Sequence, residues 1–356
     1  MSEIAPLVGS EIRAGHVPGA VVVVGERGRV VYQAAFGWKA LTPEPAALGP
    51  GDIFDLASVT KVVATTTAVM QLVEQGRLEL DSPVAAYWPA FGANGKSAIT
   101  DRQLMTHTSG LPADLDLTTG WRGEDEALAR AAAVRPSRAP GERFLYSDIN
   151  FIVLGELVRR VSGEPLDVYA RRHVFEPLGM TETGFRPPEA ELSRIVATDR
   201  QDGQLRWGQV QDPTAFRMGG VAGHAGLFST AGDLVRFAQM LVGGGELDGV
   251  RVLKPQTVAL MTRPEVLPGG ALRALGWDVA SPYSAGMDAA FGPGSFGHTG
   301  YTGCSLWIDP SSGRFLIVLS SRLHPDDKGD AMPLRRRLAA LLGSEDRIVR
   351  ASAPRP

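Results

Sequence analysis

Cysteine is almost missing from this chain: Cys304 is the single thiol in 356 residues. One thiol closes no internal disulfide and builds no cysteine zinc cluster. A surplus of charge is missing as well, since 36 Lys and Arg stand against 39 Asp and Glu, for a net charge of −3. Without a basic excess to neutralise a phosphate backbone, nucleic acid is not an expected partner. Long apolar runs are absent. The most apolar stretches, 20–24 and 315–319, fall far short of the roughly 18 to 20 residues that a membrane span needs. Near the start, Glu3, Glu11 and Arg13 interrupt the region where a secretory signal would carry its apolar core, so the expected location is cytoplasmic. A hydrophobic content of 44% with 21% charged residues excludes wholesale disorder.

Several motifs are missing too. G-x-S-x-G does not occur, which argues against an α/β-hydrolase nucleophile elbow. H-E-x-x-H does not occur and the six histidines are scattered, so neither a metal nor another cofactor is expected. Gly292-Pro293-Gly294-Ser295-Phe296-Gly297 matches G-x-G-x-x-G, but it leads into a strand pattern instead of a helix. That context speaks against dinucleotide binding.

The two ends of the chain read as β and the middle reads as α. Runs at 19–25 and 30–36 flank a turn, and runs at 304–308 and 314–320 flank Asp309-Pro310-Ser311-Ser312-Gly313; both patterns predict hairpins. Helices are predicted over 59–75, over 149–162 with Asp148 as N-cap, from the capping-box spacing Thr230-x-x-Asp233 to about 242, and over 332–342. The expected fold class is α+β, an antiparallel sheet flanked by helices. Residues 1–78 and 250–356 would form the sheet domain, and 79–249 a mainly helical insertion.

Three short stretches could carry chemistry. In Ser58-Val59-Thr60-Lys61, a helical spacing of three puts the ammonium on the same face as the hydroxyl. Only five of the 36 cationic side chains are lysine, and lysine, unlike arginine, can give up its proton to act as a base. Read alone, the stretch equally fits a capped helix with a solvated lysine. Tyr146-Ser147-Asp148 precedes a helix pattern, and a phenol beside a lysine can shuttle protons. His298-Thr299-Gly300 leads into a strand, where glycine permits a close approach and backbone N–H groups can face an oxyanion. His107 reads as a structural hydrogen-bonding residue, while His224, Tyr301 and Trp307 are candidate cleft residues.

Together these stretches resemble the three active-site motifs of the serine β-lactamase and penicillin-binding protein superfamily. The tyrosine-containing middle motif is similar to the class C β-lactamase branch with its D,D-peptidase and esterase relatives. The stretches 104–112, 175–180 and 219–230 resemble that branch too. The resemblance implies a β-lactamase/transpeptidase-like fold and an acyl-enzyme on Ser58, with Lys61 and Tyr146 moving the proton. The backbone N–H groups of Ser58 and Tyr301 would form the oxyanion hole. Asp148, His298, Thr299, Gly300 and His224 would contact substrate.

Two residues depart from the family pattern. Asp148 replaces the usual asparagine, and a carboxylate beside Lys61 would favour its ammonium form. His298 replaces the lysine usual in β-lactamases and would lose its charge near pH 6 to 7, so penicillin turnover is expected to be slow or absent. The expected substrate is a small-molecule ester, amide or peptide, with an esterase favoured over a D,D-peptidase, an amidase or a weak β-lactamase. A non-turnover penicillin-binding sensor is the rival from another class. Oligomeric state is not legible.

Overall fold

The computed structural model describes residues 1–201, 203–284 and 286–352. Nine strands make one antiparallel sheet: β1 (Gly19–Glu26), β2 (Arg29–Ala40), β3 (Ala46–Ala47), β4 (Glu265–Val266), β5 (Leu272–Arg273), β6 (Asp278–Ala280), β7 (Phe296–Thr299), β8 (Ser305–Asp309) and β9 (Arg314–Ser320). Their spatial order is β4-β5-β6-β7-β8-β9-β1-β2-β3. Both predicted hairpins are present. The two chain ends meet where β1 pairs with β9, from Ala20 opposite Ser320 to Gly25 opposite Phe315.

The main helices are α1 (Ile4–Arg13), α2 (Thr67–Glu74), α3 (Asp148–Ser162), α4 (Ala231–Val242) and α5 (Met332–Ser352). Strands β1, β8 and β9 read as unbroken apolar runs because both of their faces are buried, one under each helical layer. On one face, Val22, Val24, Trp307, Leu316 and Val318 pack against Ile4 and Val8 of α1 and Leu334 and Leu338 of α5. On the other, Val21, Val23, Leu306, Ile317 and Leu319 join the larger core, which includes Leu234, Phe237 and Leu241 of α4. Helix α4 lies in the segment 79–249, yet it packs on β1, β8 and β9 as part of the sheet's covering layer. Residues 353–356 of the outer segment lie outside the described residues.

Two local features differ from the sequence expectation. The helix predicted over 59–75 is present without a break from Ala57 to Glu74, but its winding changes along the way: a tight turn at Ala57–Val59, a widened π-type segment at Lys61–Thr66, and then α2. Thr67 explains part of the widening: its hydroxyl donates to the Val62 carbonyl five residues back, at 2.9 Å. Such widened turns concentrate at functional sites. Helix α1, for its part, had no predicted counterpart. It holds the apolar Ile4 and Val8 on one face, but at ten residues it is too short for its pattern to stand out.

Because Leu338 is fully buried between α5 and the sheet, Leu338→Ala is expected to cost about 2–5 kcal/mol of stability. Urea unfolding checks this; an unchanged midpoint would mean that α5 contributes little to the fold.

Candidate active site

The chain enters the site from a small sheet, in which Phe54–Asp55 pairs with Leu227–Ser229. Ala57 then takes a left-handed conformation with φ 46°, which costs a non-glycine residue on the order of 1–3 kcal/mol. The buried Asp55 carboxylate holds that geometry, accepting from Ala57 N at 2.9 Å and from Gln211 N at 2.7 Å. Burial pushes the Asp55 carboxyl up to about 6, against the lowering effect of those two donors. The next residue, Ser58, is thereby presented at the start of a helical turn.

Lys61 is fully buried beneath it. Its ammonium donates to Ser58 Oγ at 3.0 Å and to the His224 carbonyl at 3.0 Å, and it pairs with Asp148 Oδ1 at 2.6 Å. The Tyr146 ring centre lies 5.0 Å from Nζ. Burial alone would lower the lysine's pKa, but Asp148 and Tyr146 outweigh it and the net shift is upward. Lys61 is therefore an ammonium at neutral pH. His107 sets the position of Tyr146, stacking on it at 4.3 Å between ring centres, while its Nδ1 accepts from Ser147 N at 3.1 Å.

Strand β7 brings His298 and Thr299 to the other wall. His298 Nδ1 donates to the Thr299 carbonyl at 2.8 Å. Gly300 follows, so close to the turn that carries Ser58 that a Cβ would sit 2.4 Å from the Leu56 carbonyl oxygen. Only glycine fits there, and the close approach sets Gly300 against the Leu56–Ala57 segment that leads into Ser58. Among the described residues, neither Ser58 N–H nor Tyr301 N–H donates to a protein acceptor. Ser58, Tyr146, His298, Thr299, Gly300 and Tyr301 all line one cleft of about 310 Å³. A larger cavity of about 1160 Å³ lies beyond Phe144 and does not include the serine.

Residues 4–341 match the family model described as Beta-lactamase. The chain belongs to the β-lactamase family. A relative in Escherichia coli K12, named “Putative D-alanyl-D-alanine carboxypeptidase”, is 31% identical over 89% of this chain and 81% of its own. An N-acetylmuramyl-L-alanine amidase of Bacillus subtilis is 31% identical over 91% and 81%. Among solved structures, a penicillin-binding protein homologue from Caulobacter crescentus is 25% identical over 96% of this chain and 97% of that one, with a TM-score of 0.77. The fold is also that of EstCE1, a hydrolase with promiscuous acyltransferase activity, at 23% identity, 95% and 97% coverage and a TM-score of 0.76. The chain is thus a serine hydrolase of this family, working through an acyl-enzyme.

Within this β-lactamase-family site three expectations need correction. His224 does not line the cleft; it is 1% exposed, its ring pairs with Asp212 at 2.8 Å, and its carbonyl holds Lys61. Asp148 does not cap α3. Ser147 is the N-cap residue and makes no side-chain cap, while the Asp148 carboxylate turns to Lys61. His298 does not lose its charge at pH 6 to 7, because burial first, with Arg273 and Lys61 adding to it, holds its pKa well below 6.5.

The structure also brings in residues that no motif marked. Arg273, Arg322 and Arg335 line the cleft together with Asp278, Tyr283 and Asp330. Each is separated from the serine by more than two hundred residues, and no spacing in the chain signals them.

Two outcomes follow from these charges. Asp148→Asn removes the anion that raises the Lys61 pKa, so any limb of the pH–kcat/KM profile that reports Lys61 should move to lower pH; an unchanged profile between pH 5 and 10 would take Asp148 out of the proton network. His298 stays neutral in the folded protein while the unfolded chain takes up a proton below about pH 6.5. Its contribution to stability is therefore intact above that value and is lost as pH falls. The stability gap between wild type and His298→Gln should accordingly narrow between pH 7.5 and 5.5, by up to about 1.4 kcal/mol per pH unit; a gap independent of pH would contradict this.

Proposed function

We propose that the chain hydrolyses an amide or peptide bond in carboxylate-bearing, peptidoglycan-type fragments, with Ser58 as the nucleophile. The observation that carries the substrate class is the charge of the cleft: three guanidinium groups, Arg273, Arg322 and Arg335, line the 310 Å³ around Ser58, against two carboxylates. Like-signed groups around a cleft with low-dielectric walls raise the local concentration of the opposite charge. The names of the relatives at 31% identity, a carboxypeptidase and an amidase, support the same class.

In this reading Ser58 Oγ attacks the carbonyl carbon. Its proton passes to Tyr146, which protonates the leaving amine as the C–N bond breaks. Lys61, held as an ammonium by Asp148, orients Oγ and offsets the charge that develops on it. The Ser58 and Tyr301 N–H groups receive the oxyanion, each worth about 3 to 4 kcal/mol of the barrier. Water then attacks the acyl-enzyme, and the same relay returns a proton to Ser58.

Ester cleavage is the second reading, favoured by the EstCE1-like fold only at the level of architecture. Activated esters should react in either case, since they need no protonated leaving group.

The experiment compares a peptide ending in D-Ala-D-Ala, the same peptide with its terminal carboxylate amidated, and p-nitrophenyl acetate. Wild type is expected to cleave the free acid at least about tenfold faster in kcat/KM than the amide. Ser58→Ala is expected to lose about 10⁴-fold or more on every substrate. Equal turnover of acid and amide would reject the carboxylate preference. Activity surviving in Ser58→Ala would reject the nucleophile, and an acyl adduct that never turns over would make the protein a sensor.

A further inference from the structure

The Gly300–Tyr301 peptide is gripped from behind. Its N–H belongs to Tyr301, a residue that lines the cleft; its carbonyl belongs to Gly300 and accepts from Arg335 Nη2 at 3.1 Å. The same Nη2 donates to the Cys304 carbonyl at 2.7 Å, and Gly300 N donates to that carbonyl at 2.7 Å as well. Arg335 comes from the first turn of α5, the helix that packs beneath the sheet, and is 5% exposed. Its neighbour in the cleft, Arg322, donates from Nε to the Tyr301 carbonyl at 2.7 Å. Its guanidinium lies 4.2 Å from the Tyr301 ring centre.

We infer that Arg335 is a positioning residue for catalysis: it fixes the 300–304 turn and polarises the Gly300–Tyr301 peptide, strengthening the Tyr301 N–H as a donor to the oxyanion. The physical basis is cooperative. A cation hydrogen-bonded to a peptide carbonyl draws electron density from the nitrogen of the same amide, and the effect grows where water is excluded. Arginine suits the place because one nitrogen, Nη2, holds two hydrogens in the guanidinium plane, one for each carbonyl, and the group stays charged at working pH. Arg322 restrains the following peptide in the same way from the rim. The inference rests on the reading of Tyr301 N–H as an oxyanion donor, but it does not depend on the substrate class.

That independence shapes the test. Arg335→Met and Arg335→Lys are assayed on neutral p-nitrophenyl acetate and on the carboxylate-ended peptide, and titrated with a neutral alkyl boronic acid, which forms a tetrahedral adduct with the serine. Arg335→Met is expected to lower kcat roughly 10- to 100-fold on both substrates, with KM for the neutral ester nearly unchanged, and to weaken the boronate by a similar factor. Arg335→Lys, which keeps the charge but not the planar guanidinium, is expected to recover several-fold. A loss confined to the carboxylate-ended peptide and expressed in KM would make Arg335 a direct substrate anchor and overturn the inference. Unchanged kcat and boronate affinity in both variants would overturn it as well. If Arg335→Met does not fold, Arg335→Lys alone decides, by whether kcat and boronate affinity fall together. Should wild type prove inactive on both substrates, the proposed function fails, while the boronate titration still reads the oxyanion site.

Discussion

The site depends on one close approach, between two turns that lie more than 240 residues apart. Gly300 packs against the Leu56 carbonyl at a distance no side chain would tolerate, and Thr302 Oγ1 donates to the Asp55 carbonyl at 2.8 Å. These contacts tie the strained Ala57–Ser58 turn to the strand that supplies Tyr301. In the proposed mechanism, separating them by an ångström would take both backbone donors away from the same oxyanion. The sheet explains why the approach can be held. Strand β7 is hydrogen-bonded to β8, β8 to β9, and β9 to β1 near the chain's beginning, so the strand that leads into Gly300 is held in register with the first strand of the chain.

A second constraint is electrical. Lys61 is buried without exposure to water, which would normally drive an ammonium toward its neutral form. Asp148 reverses that outcome by direct pairing at 2.6 Å. An asparagine there could still position the lysine through a hydrogen bond but could not neutralise it. The carboxylate therefore keeps Lys61 in its ammonium form. In the proposed mechanism that leaves proton transfer to Tyr146, which His107 holds by stacking while remaining neutral itself, its pKa held well below 6.5 by burial.

Much of this was legible in the sequence, and the reason is specific. Ser58, Lys61, Tyr146 and the His298-Thr299-Gly300 stretch, which the fold brings together, are visible because they stand in short motifs of fixed residue type and spacing. The hairpins are visible because β1 and β9 are buried on both faces and so read as apolar runs. Arg335, Arg322 and Asp55 were not legible, because each acts on backbone atoms, and a backbone carbonyl carries no signature of the residue that offers it. His224 misled for the same reason: its carbonyl, not its imidazole, meets Lys61. The widened turn at Lys61–Thr66 was hidden inside a run that looks simply helical until the Thr67 hydroxyl is seen to reach Val62.

The residue types around the cleft then make a consistent division of labour. The histidines at hand, His107 and His298, are held neutral by burial, with the charges of Arg273 and Lys61 adding to it. The arginines stay charged at any working pH. Between these two sets lies the Ser58–Lys61–Tyr146–Asp148 group, where a proton can move. A site built this way keeps its electrostatic field constant while the reaction runs, because the groups that set the field are not the groups that exchange protons. Lysine is scarce in this chain and arginine plentiful, and at the cleft that bias has a physical consequence: fixed charge is supplied by guanidinium groups, while the ammonium whose proton matters is placed at the nucleophile, beside the carboxylate that governs it.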